Sequence, residues 1–172
     1  SATTARAGEW RPAPGLELLE AIDDALGAPA LIAEDLGVIT PDVDELRHRM
    51  GLPGMVVLQF ELDHHAAQEG RLWHDVDRFV YPGTHDNATV AEWLAGASDH
   101  QRWCLDESAR RAGVEPDGTP WTMVQLAHAA PAGTAIVSAQ DLLGLGAESR
   151  MNTPGTIEGN WSWRLAPGQL DA

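Results

Sequence analysis

The chain has 172 residues, 44% hydrophobic and 22% charged, a length and balance that exclude general disorder and suit a soluble domain with a sizeable core. Its net charge of −15 repels phosphate backbones and acidic lipid surfaces, and no stretch approaches the roughly 20 apolar residues of a membrane span. Nucleic acid and membrane are thereby excluded as partners, and a neutral substrate is expected.

In chain order, a helical pattern runs from Leu16 to Leu26 and is followed by the apolar run Ala30 to Ala33. That run reads as a strand, because strands covered on both faces lose the apolar/polar alternation. It drives straight into two acids, Glu34 and Asp35. Thr40-Pro41 then sets a capping hydroxyl before a proline at the first helical position, with Asp42, Asp44 and Glu45 near the positive end of the helix dipole. The helix is expected from Pro41 to Met50, closed by Gly51.

Met55 to Leu58 is a second expected strand and Phe79 to Tyr81 a third, the latter leading into Pro82-Gly83-Thr84-His85-Asp86-Asn87. Helical patterns follow at Thr89 to Leu94, Asp99 to Ala112 and Trp121 to Ala129; Gly113 closes the second of these, whose Arg110 and Arg111 suit a helix C-terminus. Thr134 to Val137 is the fourth strand. Strand and helix alternate, so the expected fold class is α/β with a parallel sheet; the four βα units amount to half of an eight-stranded barrel. No repeat, low-complexity tract or linker divides the chain. The only cysteine, Cys104, falls in a helical pattern and is expected to be a buried structural thiol, and with no leader pattern at the N-terminus a cytoplasmic location is expected.

The chemistry is carried by acids at strand ends, where catalytic groups sit in parallel α/β folds. An acid after a strand also serves as a helix cap, and for Asp35 that reading stays open. Two such ends in one chain, one bearing His85, Asp86 and Asn87 together, favour chemistry. Carboxylates without a lysine, a phosphate-binding loop or a metal cluster suit glycosyl transfer, in which one carboxyl protonates the leaving oxygen while others stabilise an oxocarbenium-like transition state. Glu34 is the longer arm and Asp86 the fixed partner. The seven tryptophans agree with a sugar ligand; Trp93, Trp103 and Trp121 lie in helical stretches and are expected in the core, whereas Trp10, Trp161 and Trp163 are cleft candidates. A zinc site from His64, His65, His74 and His85 is disfavoured by spacing, and no metal or other cofactor is expected.

With these residues in view, the chain resembles the 4-α-glucanotransferases of the amylomaltase, or disproportionating enzyme, family. The resemblance rests on the blocks running from Ile32 to Pro41, Gly51 to Met55 with Gln59-Phe60, Gly83 to Asn87, Gln140 to Gly146, and Met151 to Thr156 with Gly159 to Arg164, all in the family's order. It implies a (β/α)₈ TIM barrel of which this chain is the C-terminal half, strands five to eight, so that residues 1–172 form a partial catalytic domain without the N-terminal strands and the nucleophilic Asp. Glu34 is then the general acid/base and Asp86 the third carboxylate, gripping sugar hydroxyls. Asp35, Gln59, His85, Asn87 and Asn152 fall at positions matching the glucan subsites. The segment Asp63 to Asp77 departs from the family pattern.

The implied function is retaining transfer of α-1,4-glucan segments to a glucan or glucose acceptor, with maltooligosaccharides as partners and no activity expected of these 172 residues alone. Two other readings share these features, namely an α-glucan hydrolase of the same superfamily and a non-catalytic glucan-binding domain.

Overall fold

The computed structural model describes residues 8–9, 11–64 and 77–170. It divides into two compact units, Ser1–Pro53 and Gly54–Ala172.

The first unit holds two helices, α1 (Gly15–Leu26) and α2 (Pro41–Arg49). Helix α1 ends at Gly27, which adopts a left-handed φ of 69° and returns its N–H to the Asp23 carbonyl. Helix α2 starts where Thr40-Pro41 predicts, but the Thr40 hydroxyl makes no cap bond to the helix backbone. It bonds the Asp42 side chain instead, and this bond, with N–H groups of the first turn, holds the Asp42 carboxyl below its ordinary pKa. Between the helices, Ala30 to Ala33 does not form the expected strand. A strand needs a ladder, and these residues show one backbone bond of that kind, from Ala33 N–H to the Pro53 carbonyl (2.8 Å). Leu31 and Ile32 are exposed, so the two-sided burial inferred from their apolarity is not met either.

The second unit is built on three parallel strands, β1 (Gly54–Val57), β2 (Arg78–Tyr81) and β3 (Thr134–Ala135), adjacent in chain order. Met55 pairs with Phe79 and Val56 with Val80 on one side of β2, and Val80 pairs with Ala135 on the other. Val80 is the central residue of this sheet and is fully buried. Strand β1 stops one residue earlier than expected, because Leu58 opens a helix, α3 (Leu58–His64), that the apolar run conceals. Strand β3 is likewise shorter than Thr134 to Val137.

The chain crosses from β2 to β3 through α4 (Val90–Gly96), α5 (Asp99–Arg111) and α6 (Trp121–Ala129); a short helix, α7 (Ala139–Leu142), and a 3₁₀ turn, Ala147–Ser149, follow β3. Helices α5 and α6 lie within one residue of the predicted spans, and α4 starts one residue later and ends two residues later than predicted. Ser98 and Gln101 close a reciprocal capping box at the start of α5, and Gly113 leaves it at φ 78°. The core joins Leu58, Leu62, Val80, Val90, Leu105, Met123 and Leu126, with Cys104 buried among them as expected. Each such aliphatic side chain contributes about 1.5–3 kcal/mol by burial.

Two tryptophans expected in this core lie outside it. Trp103 is 51% and Trp121 44% exposed, while Trp93 packs partly buried against the core. The buried stripe of α5 is Cys104, Leu105, Ser108 and Ala109, and Trp103 falls one residue, about 100°, off that stripe. Trp121 is the first residue of α6.

Candidate active site

Parallel strands end on the same edge of a sheet, so residues just beyond β1, β2 and β3 meet there. Gln59 follows β1, residues 82–89 follow β2, and Ser138 to Asp141 follow β3. The Gln59 N–H donates to the Pro82 carbonyl (3.3 Å), and the side-chain amide of Gln59, which is only 3% exposed, donates to the Ala88 carbonyl (2.9 Å). Gly83 allows this contact: a Cβ there would meet Gln59 Nε2 at 2.6 Å. Gln59 therefore braces the loop after β2 from beneath.

Within that loop, Asn87 Oδ1 accepts from both the N–H (2.8 Å) and the hydroxyl (2.7 Å) of Thr84, closing a tight turn. The turn presents His85 and Asp86 outward, both exposed. Asp86 is not a helix cap. The following helix α4 is capped by Thr89, whose hydroxyl accepts from Glu92 N–H (3.2 Å), and by Asp141, whose Oδ1 accepts from Val90 N–H (2.7 Å). Asp141 is 3% exposed, and burial pushes its carboxyl above the ordinary value despite those bonds.

The Asp86 carboxylate faces Asn152 and His85. Asn152 Nδ2 donates to Asp86 Oδ1 (2.7 Å), and His85 Nε2 lies 3.2 Å from the same oxygen. Asn152 is itself fixed by its N–H, which donates to the His85 carbonyl (3.1 Å). Beyond it the chain loops out and returns to Trp161, whose N–H donates to the Met151 carbonyl (2.7 Å). Asn160 closes the loop, its Oδ1 accepting from Thr153 N–H (2.9 Å) and its Nδ2 donating to the Thr156 carbonyl (3.1 Å). Trp161 takes a φ of 60°, a left-handed conformation that bulky residues rarely adopt, and sets its ring 5.1 Å from that of His85. An exposed aromatic face beside a carboxylate, an imidazole and an amide can stack on a pyranose ring while the polar groups take its hydroxyls. Trp163 lines a neighbouring cleft of about 540 Å³ with Arg150 and Asn160.

In the first unit, Glu34 is exposed at the end of the extended segment, ahead of Gly37, which takes φ 88°. Asp35 turns inward: its Oδ2 lies 3.5 Å from Nε of the buried Arg47, whose Nη1 donates to the Leu52 carbonyl (3.0 Å). The capping alternative for Asp35 is not met, since α2 begins at Pro41 with Thr40 at its N-cap position.

Of the residues singled out in the sequence, His85, Asp86 and Asn152 come together with Trp161, and Gln59 and Asn87 support the loop that carries them. Glu34 and Asp35 belong to the other unit. Trp10, Trp73, His65 and His74 lie outside the described residues. Among the described residues no three His, Cys, Asp or Glu are grouped to hold a metal ion, and no helix is long and apolar enough to cross a membrane. Three residues were missed: Arg47, Asp141 and Arg150. Each is a single charged side chain with at least one partner that is distant in sequence or a backbone group, which no periodicity marks.

The family model for 4-α-glucanotransferase matches residues 1–170. The chain is 41% identical to the 4-α-glucanotransferase of Thermus thermophilus over 182 residues, covering 99% of this chain and 35% of that protein. It is 42% identical to the enzyme of that name from Synechocystis over 172 residues, covering 98% and 34%. An amylomaltase from Streptococcus agalactiae, solved in complex with acarbose, superposes with a TM-score of 0.83 at 34% identity, over 98% of this chain and 34% of that one. The chain thus spans about a third of the length of these relatives. It belongs to the 4-α-glucanotransferase family.

Proposed function

We propose that the complete protein transfers segments of α-1,4-glucan to a glucan or glucose acceptor by retaining double displacement, with this chain supplying Glu34 as general acid/base and Asp86 as the carboxylate that grips sugar hydroxyls. The observation that carries this reading is the presentation of Asp86: exposed beyond β2, relieved of capping by Thr89 and Asp141, and held by Asn152 and His85 beside the Trp161 ring. His85, Asn152 and Trp161 then contact the glucan directly, Gln59 and Asn87 act beneath them by holding the loop after β2, and Asp35 contributes to the glucan subsites from its own unit. The acarbose bound to a relative at 34% identity supports an oligosaccharide of this kind as ligand.

In this reading residues 1–172 are part of a (β/α)₈ catalytic domain, with Ala30 to Ala33 in the fifth strand position and β1 to β3 in the sixth to eighth. The nucleophilic aspartate belongs to another part of the protein, which works in the cytoplasm. Protonated Glu34 assists departure of the reducing-end glucan as that aspartate attacks the anomeric carbon; the ionised Glu34 then takes the proton of the incoming 4-hydroxyl, and the product keeps the α-configuration. The loop from Met151 to Trp163 keeps water from the intermediate, which favours transfer over hydrolysis.

The full-length protein incubated with maltotriose should give a ladder of longer and shorter oligomers. Net release of reducing ends without longer products would identify a hydrolase, and no turnover at all a binding domain. Glu34→Gln and Asp86→Asn should each lower transfer by about 10²–10⁴-fold, with the fold intact by circular dichroism.

A further inference from the structure

The segment carrying Asn152 has to be held against Asp86 for its amide to reach the carboxylate, and one side chain reaches both sides of that junction. Arg150 Nη2 donates to the Asp86 carbonyl (3.1 Å), and its Nε donates to the Asn152 carbonyl (3.0 Å). Its remaining nitrogen, Nη1, lies 3.5 Å from Glu92 Oε1 in the first turn of α4. The planar guanidinium thus has one edge on the loop after β2, one on the loop after β3 and a charge partner on the helix behind. No other described side chain bonds the backbone of both Asp86 and Asn152.

We propose that Arg150 is a positioning residue for Asp86. It fixes the Asp86 backbone and the Asn152 backbone to a common rigid plane, so that Asn152 Nδ2 meets Asp86 Oδ1 at 2.7 Å and the second carboxylate oxygen is left to face the substrate. Arg suits this work where Lys does not, because the acceptors lie in fixed directions that a planar fork matches and a point charge does not. Glu92 orients the guanidinium: its Oε2 is sealed from solvent without a hydrogen-bond partner among the described residues, and the Arg150 charge offsets the burial of this oxygen. Arg150 touches no reacting atom in this arrangement. Its effect passes through the placement of the Asp86 carboxylate, and misplacement of a catalytic group by about 1 Å costs on the order of 10²-fold in rate.

This inference rests on the glucanotransferase reading, and the test separates the two. In the full-length protein, Arg150→Ala should lower kcat for maltotriose disproportionation by about 10²-fold with KM nearly unchanged, and added guanidinium ion should restore part of the loss while methylammonium does not. Arg150→Ala combined with Asn152→Ala should lose far less than the product of the two single losses, because both act on one carboxylate. If Arg150→Ala fails to fold, the same comparison is made in a Glu92→Gln background, which removes the carboxylate that would otherwise be left unpaired. A wild-type ladder with an Arg150→Ala enzyme of unchanged kcat would overturn the positioning role alone. Losses that multiply in the double variant, or that follow the thermal midpoint without guanidinium rescue, would also overturn it. An inactive wild-type protein would overturn both this role and the parent reading.

Discussion

Around Asp86 the polar side chains divide by what their atoms reach. Gln59, Asn87, Asp141 and Arg150 give hydrogen bonds to, or take them from, main-chain groups, and so shape the loop; His85 and Asp86 itself are exposed at its tip, with the half-buried Asn152 reaching Asp86 from the loop after β3. Asp141 shows the tension in such a scaffold. Burial raises its pKa while the Val90 N–H and the Ser138 side chain pull it down, and burial prevails. A carboxyl raised on folding binds its proton to higher pH in the native state than in the unfolded one. Its contribution to stability therefore falls as pH rises from the ordinary carboxylate value through the raised one, and is level above that. Asp141→Asn keeps an acceptor for Val90 and should flatten this slope, with a thermal midpoint at neutral pH equal to or above that of the wild type. Asp141→Ala leaves the Val90 N–H unmet in a buried place and should cost about 1–3 kcal/mol in urea unfolding.

At the scale of elements, helices with local start and stop signals were legible. Helix α5 has both: Ser98 accepts from Gln101 N–H (3.2 Å), Gln101 Oε1 accepts from Ser98 N–H (2.7 Å), and Gly113 supplies the left-handed exit. Ser98→Ala should lower stability by about 1 kcal/mol, read as a lower thermal midpoint at unchanged activity, because the box lies away from the loops after β2 and β3. Helix α3 was not legible, since it begins on the last residue of the apolar run Met55 to Leu58 with no capping residue ahead of it. Apolarity alone marks burial and not the backbone that is buried. The same ambiguity explains Ala30 to Ala33, where a run with strand composition stays extended with one ladder-type bond. The site followed the same rule: the acids and the His-Asp-Asn cluster stand out because they interrupt apolar runs, whereas Arg150 and Asp141 interrupt nothing.

At the scale of the molecule, the chain spans about a third of its relatives, and its candidate carboxylates lie in different units, Glu34 in Ser1–Pro53 and Asp86 in Gly54–Ala172. A glycosyl-enzyme needs a nucleophile placed against both of them. The 172 residues expressed alone should therefore show no transfer on maltotriose, measured by oligosaccharide chromatography, and Glu34-dependent turnover by them would refute the division of roles proposed above. The Gly54–Ala172 unit holds the parallel sheet, the described core and the Asp86 loop together.

The sequence by itself determined the α/β class, the main helices with their glycine exits, and the two polar clusters after apolar runs from which the family could be read, because periodicity, capping and motif are local properties of the chain. Only the tertiary structure decided which residues share the sheet edge, that Asp35 turns to Arg47, that Trp103 faces outward, and that Arg150 joins the Asp86 loop to Asn152. The physical reason is reach. A hydrogen bond or ion pair between residues tens of positions apart, such as Arg150 with the Asp86 carbonyl, leaves no pattern along the chain, and exists only once the strands have set both ends side by side.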